Sequence, residues 1–271
     1  MIGTMTTFKN IGVPEKQIRK VFLDIDKFAA KYGWAGEWRH FTPCEAREWS
    51  EELSNLSNKE QEKQISNHFI MCYSKNNFSE IEEILSKWEK NPIFNKRMPI
   101  FRNCLFVLRN STKSFNPSNL VVPILIIQID GIMAELIERE GWKYEKRANE
   151  WKHPNYPKGN YKLRNSEQVI GLLIKNKRTR SGTTYSGNLI QFHSRYEMII
   201  EGLFQRAQHG VKMQNLSMIS RHKILHGEEI RYGTLENTIK LFLFLNYFSK
   251  FKISNLVEPD DSNLVELRLA E

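Results

Sequence analysis

The sequence predicts an all-α protein, with an N-terminal helical layer and a basic insertion that has room for a short hairpin. Three observations carry this. Apolar residues recur three and four apart along most of the 271 residues. Sustained alternation, the mark of strands, is absent outside 142–187. Capping residues, prolines and glycines punctuate the periodic runs at helix-length intervals.

The elements follow in order. Residues 1–13 are polar, and Pro14 suits a first helical turn. Ile18, Val21, Phe22, Ile25 and Phe28 or Ala29 then mark a helix that Gly33 and Gly36 end. Thr42-Pro43 restarts one through about Leu53. Ser57 opens a third, with Ile65, Phe69 and Cys72 on one side, and Ser79 caps a fourth carrying Ile81, Ile84, Leu85 and Trp88. These form an N-terminal region over 1–94 without recognisable chemistry. Pro92 and Pro99 mark a junction, and a second region runs over 95–254. A helix with one buried face is expected over 97–108, a turn over 111–118, and a long apolar helix from 120 to about 140.

Asp130 sits inside that apolar run, where a carboxylate is costly unless paired. Two partners are open to it: Arg102 in the core, or Arg221 or a histidine beside a cleft. From Gly141 the composition changes. Residues 142–180 carry eleven Lys/Arg against three Glu, interleaved with Trp142, Tyr144, Trp151, Tyr156 and Tyr161. Charge that follows phosphates and rings that stack on bases suit single-stranded nucleic acid. Lys175, Lys177, Arg178, Arg180 and Trp151 are the candidate RNA contacts; a solvated insertion stapled down by its aromatics fits equally. Residues 193–207 read as a helix. Thr234 caps the last helix, and the run from Ile239 to 251 is apolar enough to be central or dimer-facing. A polar tail covers 255–271.

Composition bounds the function. The formal net charge of +9 favours nucleic acid or an anionic surface as partner. Cys44, Cys72 and Cys104 stand far apart with no Cys-x-x-Cys, which argues against a zinc ribbon or disulfide framework and fits a reduced cytoplasmic setting. No secretory apolar core opens the chain, and neither 120–129 nor 241–245 is long enough to span a bilayer. No Walker loop or Gly-x-Ser-x-Gly elbow occurs, so neither an ATPase nor a serine hydrolase is advertised.

The stretch 215–233 concentrates the chemistry. Asn215 or Ser217 can cap a helix with Leu216, Ile219, Ile224 and Leu225 on one side, and Gly227 stands where a left-handed cap belongs. Its last turns hold Arg221, His222 and His226. A guanidinium is permanently charged and an imidazole titrates near neutrality, a combination suited to a phosphodiester. At about 100° per residue, Arg221 and His226 lie roughly 140° apart, so both can border one cleft. His222 and His226 share a face and could instead hold a metal, with Asp130 or Glu229 as third ligand. The Glu of a His-Glu-x-x-His box is missing between them.

Ser220 to Gly227 reads Ser-Arg-His-Lys-Ile-Leu-His-Gly, and Tyr232 to Asn237 reads Tyr-Gly-Thr-Leu-Glu-Asn. This text resembles the HEPN superfamily, and within it a group of uncharacterised bacterial members. The run 120–135, with Gln128-Ile129-Asp130-Gly131, is similar to that group as well. The resemblance covers roughly 95–140 and 190–250; residues 1–94 and 142–187 fall outside it. Ser220 departs from an Asn common in the group. The bare Arg-to-His spacing is weak, since Arg147 and His153 repeat it by chance ahead of Pro154.

The resemblance implies a HEPN-like antiparallel helical bundle and a metal-independent endoribonuclease without cofactor. Arg221 and His226 would be catalytic, with Ser220, His222, Asp130, Tyr232 and Asn237 in support. It also implies an RNA substrate, a homodimer that joins two sites, an antitoxin or defence partner, and no membrane. The alternatives are a non-catalytic helical module that binds nucleic acid or a nucleotide, and a structural protein that dimerises through its C-terminal helices.

Overall fold

The structure, a computed structural model, describes residues 15–36, 41–112, 114–139, 141–152, 219 and 221–250. The expectations for 193–207, for Lys175, Lys177, Arg178, Arg180 and Ser220, and for the tail lie outside them. Among the described residues the protein is mostly helical: α1 (Glu15–Lys31), α2 (Pro43–Ser54), α3 (Asn58–Trp88), α4 (Pro92–Asn95), α5 (Met98–Arg109), α6 (Ser118–Arg139), α7 (Arg221–Leu225) and α8 (Leu235–Ser249). The only sheet described is a hairpin of β1 (Lys143–Glu145) and β2 (Glu150–Lys152), in which Tyr144 pairs with Trp151.

Local chemistry explains the helix starts. Thr42 and Glu45 form a reciprocal capping box at α2, and Ser57 and Glu60 form another at α3. α3 is broken where the sequence predicts two helices. Lys75 is extended, and Asn76, Asn77 and Phe78 are left-handed, with φ of 48°, 54° and 64°. Each left-handed residue costs about 1–2 kcal/mol. Arg109 Nε donates to the Asn77 carbonyl at 2.9 Å and holds the turn from α5.

α8 packs on α6 and α3, α3 on α5, and α1 on α2. The buried apolar side chains form one cluster from Ile25 to Phe248. α8 is its centre: Leu241 through Leu245 are at most 1% exposed. Of the two expected roles for this helix, central and dimer-facing, it takes the first, because a helix apolar on all sides must be surrounded. Residues 241–246 and 248 are buried within the chain, and Tyr247 is partly buried.

α6 differs from the expectation in another way. Its 22 residues are long and apolar enough to cross a membrane by length and composition, a test that core helices also pass. One stripe (Val122, Leu125, Ile129, Met133) is buried, while Leu120, Ile124 and Ile127 are exposed on the opposite side.

A polar seam crosses the core between the N-terminal layer and α8. Lys240 is fully buried, and its ammonium lies 2.8 Å from Glu236 Oε1, one turn back. The same oxygen accepts Ser66 Oγ at 2.9 Å, and Ser66 accepts Trp34 Nε1 at 3.2 Å. Trp34 stacks on Phe69 at 4.7 Å, and the Lys240 ammonium sits 5.1 Å from its ring centre. Burial pushes the Lys240 pKa down, against the pull of Glu236.

Candidate functional site

Asp130 lies on α6 at the margin between the buried stripe and the exposed one. Its carboxylate meets Arg221, the first residue of α7: Nη1 donates to Oδ1 at 2.5 Å. The side chains keep 26% and 37% of their surface in solvent, so the pair is half-open. Burial raises the Asp130 pKa, and the Arg221 charge opposes that rise. Arg102, the alternative core partner, instead pairs with Glu89 on the outer side of α5.

The helix bearing the motif is shorter than the spacing suggests. Ile219 is fully buried but sits in an isolated bridge, and the helix runs only from Arg221 to Leu225. Residues 215–218, where the caps were expected, lie outside the described residues. Arg221 therefore opens the helix and does not sit on its last turns. The C-terminal stop is as read. Gly227 has φ of +75°; its N–H donates to Ile224 O at 3.1 Å, and Glu228 N–H reaches Lys223 O at 2.7 Å. That is the paired bonding of a left-handed helix cap. No atom lies within 4 Å of where a Gly227 Cβ would be, so the backbone angle, not space, calls for glycine. His226 is the cap residue, exposed just before it. His222 belongs to α7 by its backbone.

The loop beyond is stitched to the start of α6. Pro123 has no N–H for the Asn119 carbonyl, and the Tyr232 hydroxyl donates to that carbonyl at 3.2 Å. Asn116 uses both ends of its amide: Oδ1 accepts Ser118 N–H at 3.1 Å, and Nδ2 donates to Gly233 O at 2.6 Å. A Cβ on Gly233 would overlap the Asn119 side chain and approach its Cα to 3.0 Å. From the other side, Asn237 Nδ2 donates to Tyr232 O at 2.9 Å, while Asn237 N–H caps onto Thr234 Oγ1 at 3.0 Å. Asn237 is 1% exposed, so with Tyr232 it holds the loop in place and does not face a ligand.

The structure thus brings Asp130 to Arg221 and ties Tyr232 and Asn237 to the loop behind them. It does not support Trp151 as a stacking platform. That ring is 8% exposed and packs edge-on against Tyr144 at 5.3 Å, because the hairpin register sets the two opposite each other. Among the described residues, no group of three His, Cys, Asp or Glu could hold a metal ion. Sequence reasoning missed Asn116 and Asn119, whose only signal was an Asn-rich turn ahead of Pro123, and missed the Glu236–Lys240 pair.

No protein-family model, curated protein or solved structure matches the chain.

Proposed function

We propose that the chain is a metal-independent, HEPN-type endoribonuclease acting in antiphage defence or as a toxin. The observation that carries this is the half-open Arg221–Asp130 pair, 2.5 Å apart, which joins α6 to a short helix capped by the exposed His226. RNA brings its own nucleophile, the 2′-hydroxyl. The enzyme has to align it, stabilise the phosphoryl oxygens and move protons. Arg221 supplies the charge through a guanidinium with five N–H donors, one of which meets Asp130. Asp130 orients that guanidinium. His226 exchanges the proton with the attacking or leaving oxygen. The products are a 2′,3′-cyclic phosphate and a 5′-hydroxyl.

One such set is sparse for the charge that develops, and a two-fold dimer would place two sets in one cleft. The face proposed for it is the exposed α6 stripe of Leu120, Ile124 and Ile127, with Leu225 on the same side of α7 as Arg221. The basic residues Lys175, Lys177, Arg178 and Arg180 would track the RNA backbone. A second reading, a binding module without catalysis, draws on the same net charge of +9.

Incubation of the full chain with mixed RNA in EDTA separates the readings. Cleavage that persists and leaves cyclic phosphate ends is the expected result. Cleavage abolished by EDTA and restored by a divalent metal would move the chemistry to His222 and His226. Salt-sensitive binding without cleavage would favour the binding module.

A further inference from the structure

We propose that the Glu236–Lys240 pair, whose lysine is fully buried, positions the motif loop by registering the first turn of α8 against the N-terminal layer. The catalytic half of this inference rests on the ribonuclease reading; the structural half does not.

Stability alone does not account for the pair. Lys240 is fully buried, with Glu236 as its ion-pair partner and Glu62 near enough to add to the field on it. Replacing a buried ion pair by apolar residues of similar volume is often neutral or stabilising. The pair does supply direction. Glu236 Oε1 is reached by Lys240 from α8 itself and by Ser66 from α3, and Ser66 is in turn held by Trp34, beyond the end of α1. Apolar packing is non-directional, and it leaves a helix free to slide or rotate where polar bonds do not.

What is registered is the turn that holds the motif loop. The next residue, Asn237, projects about 100° further round the helix. It grips the Tyr232 carbonyl at 2.9 Å, and Tyr232 reaches α6 at Asn119. Consecutive side chains of one helical turn thus face the N-terminal layer and the motif loop. Releasing Glu236 lets that turn fray, and Asn237 loses its fixed position over the loop.

The test uses the full chain carrying Glu236→Leu and Lys240→Met together. Its urea midpoint should equal or exceed that of the wild type. Amide hydrogen exchange over 228–234 should nonetheless rise about tenfold, the change produced by about 1.4 kcal/mol of lost local stability. Exchange over 98–109 should not move. RNA cleavage should lose about tenfold in kcat with KM unchanged, because binding groups elsewhere are untouched. Unchanged exchange over 228–234 in a folded double variant overturns the proposal. If the double variant does not fold, Ser66→Ala takes its place, with the same rise expected at 228–234 and the same overturning result. Should the wild type cleave no RNA, the ribonuclease reading fails, and the exchange measurement still decides the coupling.

Discussion

Two cation–carboxylate pairs in this protein use similar groups to different ends. Arg221 and Asp130 keep 26% and 37% of their side-chain surface in solvent; Lys240 keeps none and Glu236 keeps 24%. Burial pushes the Asp130 carboxyl up and the Lys240 ammonium down, so in both pairs it works against charge. The difference lies in access. A phosphate could approach Arg221 from solvent and share its donors. None can reach Lys240, which is enclosed by α8, Trp34 and the seam around Ser66. The open pair is suited to binding an anion, and the closed one to fixing where helices stand.

The comparison breaks most visibly if the open pair carries no chemistry. Arg221→Ala should cut RNA cleavage by about 10²–10³-fold, as loss of a donor to a developing oxyanion does. His226→Ala should cut it by about 10²–10⁴-fold, as loss of a general acid–base group does. Circular dichroism should show both variants folded. Two folded and fully active variants would remove the proposed site.

The closed pair should show its effect in stability. Lys240→Ala leaves the Glu236 carboxylate with its main counter-charge gone, which costs about 3–5 kcal/mol in buried pairs. A urea titration reads this directly. A loss under about 1 kcal/mol, the range of surface pairs, would mean that the exposed part of Glu236 is hydrated well enough to need no counter-charge and that the two pairs are not different in kind.

The smallest effect sharpens the comparison on α6 itself. Asp130 has a raised pKa, so the folded chain holds its proton more tightly than the unfolded chain does. Its contribution to stability is full below the ordinary carboxylate range and is lost as pH rises through the raised value. Glu135, five residues on, is the opposite case. Burial pushes it up, but bonds and charges from Lys96 and Arg97 outweigh this and leave it lowered. Its contribution is present above the ordinary range and lost as pH falls through the lowered value. Between about pH 3 and 6, the wild-type stability advantage over Asp130→Asn should shrink with rising pH, while that over Glu135→Gln should grow. Parallel slopes in denaturant titrations would show that the Arg221 charge, not burial, governs Asp130.

What the sequence made legible follows the range of the interactions. The capping boxes at Thr42 and Ser57 close within four residues, and both helix starts could be read directly. The Gly227 stop is equally local. Ile219 was read into the motif helix because a buried apolar residue at helical spacing looks the same whether its backbone is helical or extended. Trp151 looked available among basic residues, and only the hairpin register reveals Tyr144 against it. Glu236 and Lys240, four apart, have the spacing of an ordinary exposed helix pair, and nothing marked them out but the place of Lys240 inside the apolar run from Ile239 to Leu245. Whether Asp130 would meet Arg102 or Arg221 depends on how distant segments close, and no local pattern encodes that.

The bond from Tyr232 to the Asn119 carbonyl makes Pro123 and Tyr232 a single heritable unit. A hydroxyl more than a hundred residues downstream occupies the acceptor that the proline leaves open. Phenylalanine at 232 would hand that carbonyl to solvent, since Asn119 is exposed, whereas in a chain whose Pro123 had become alanine the helix amide could take the acceptor. Replacing the tyrosine is therefore easier to tolerate once the proline has gone.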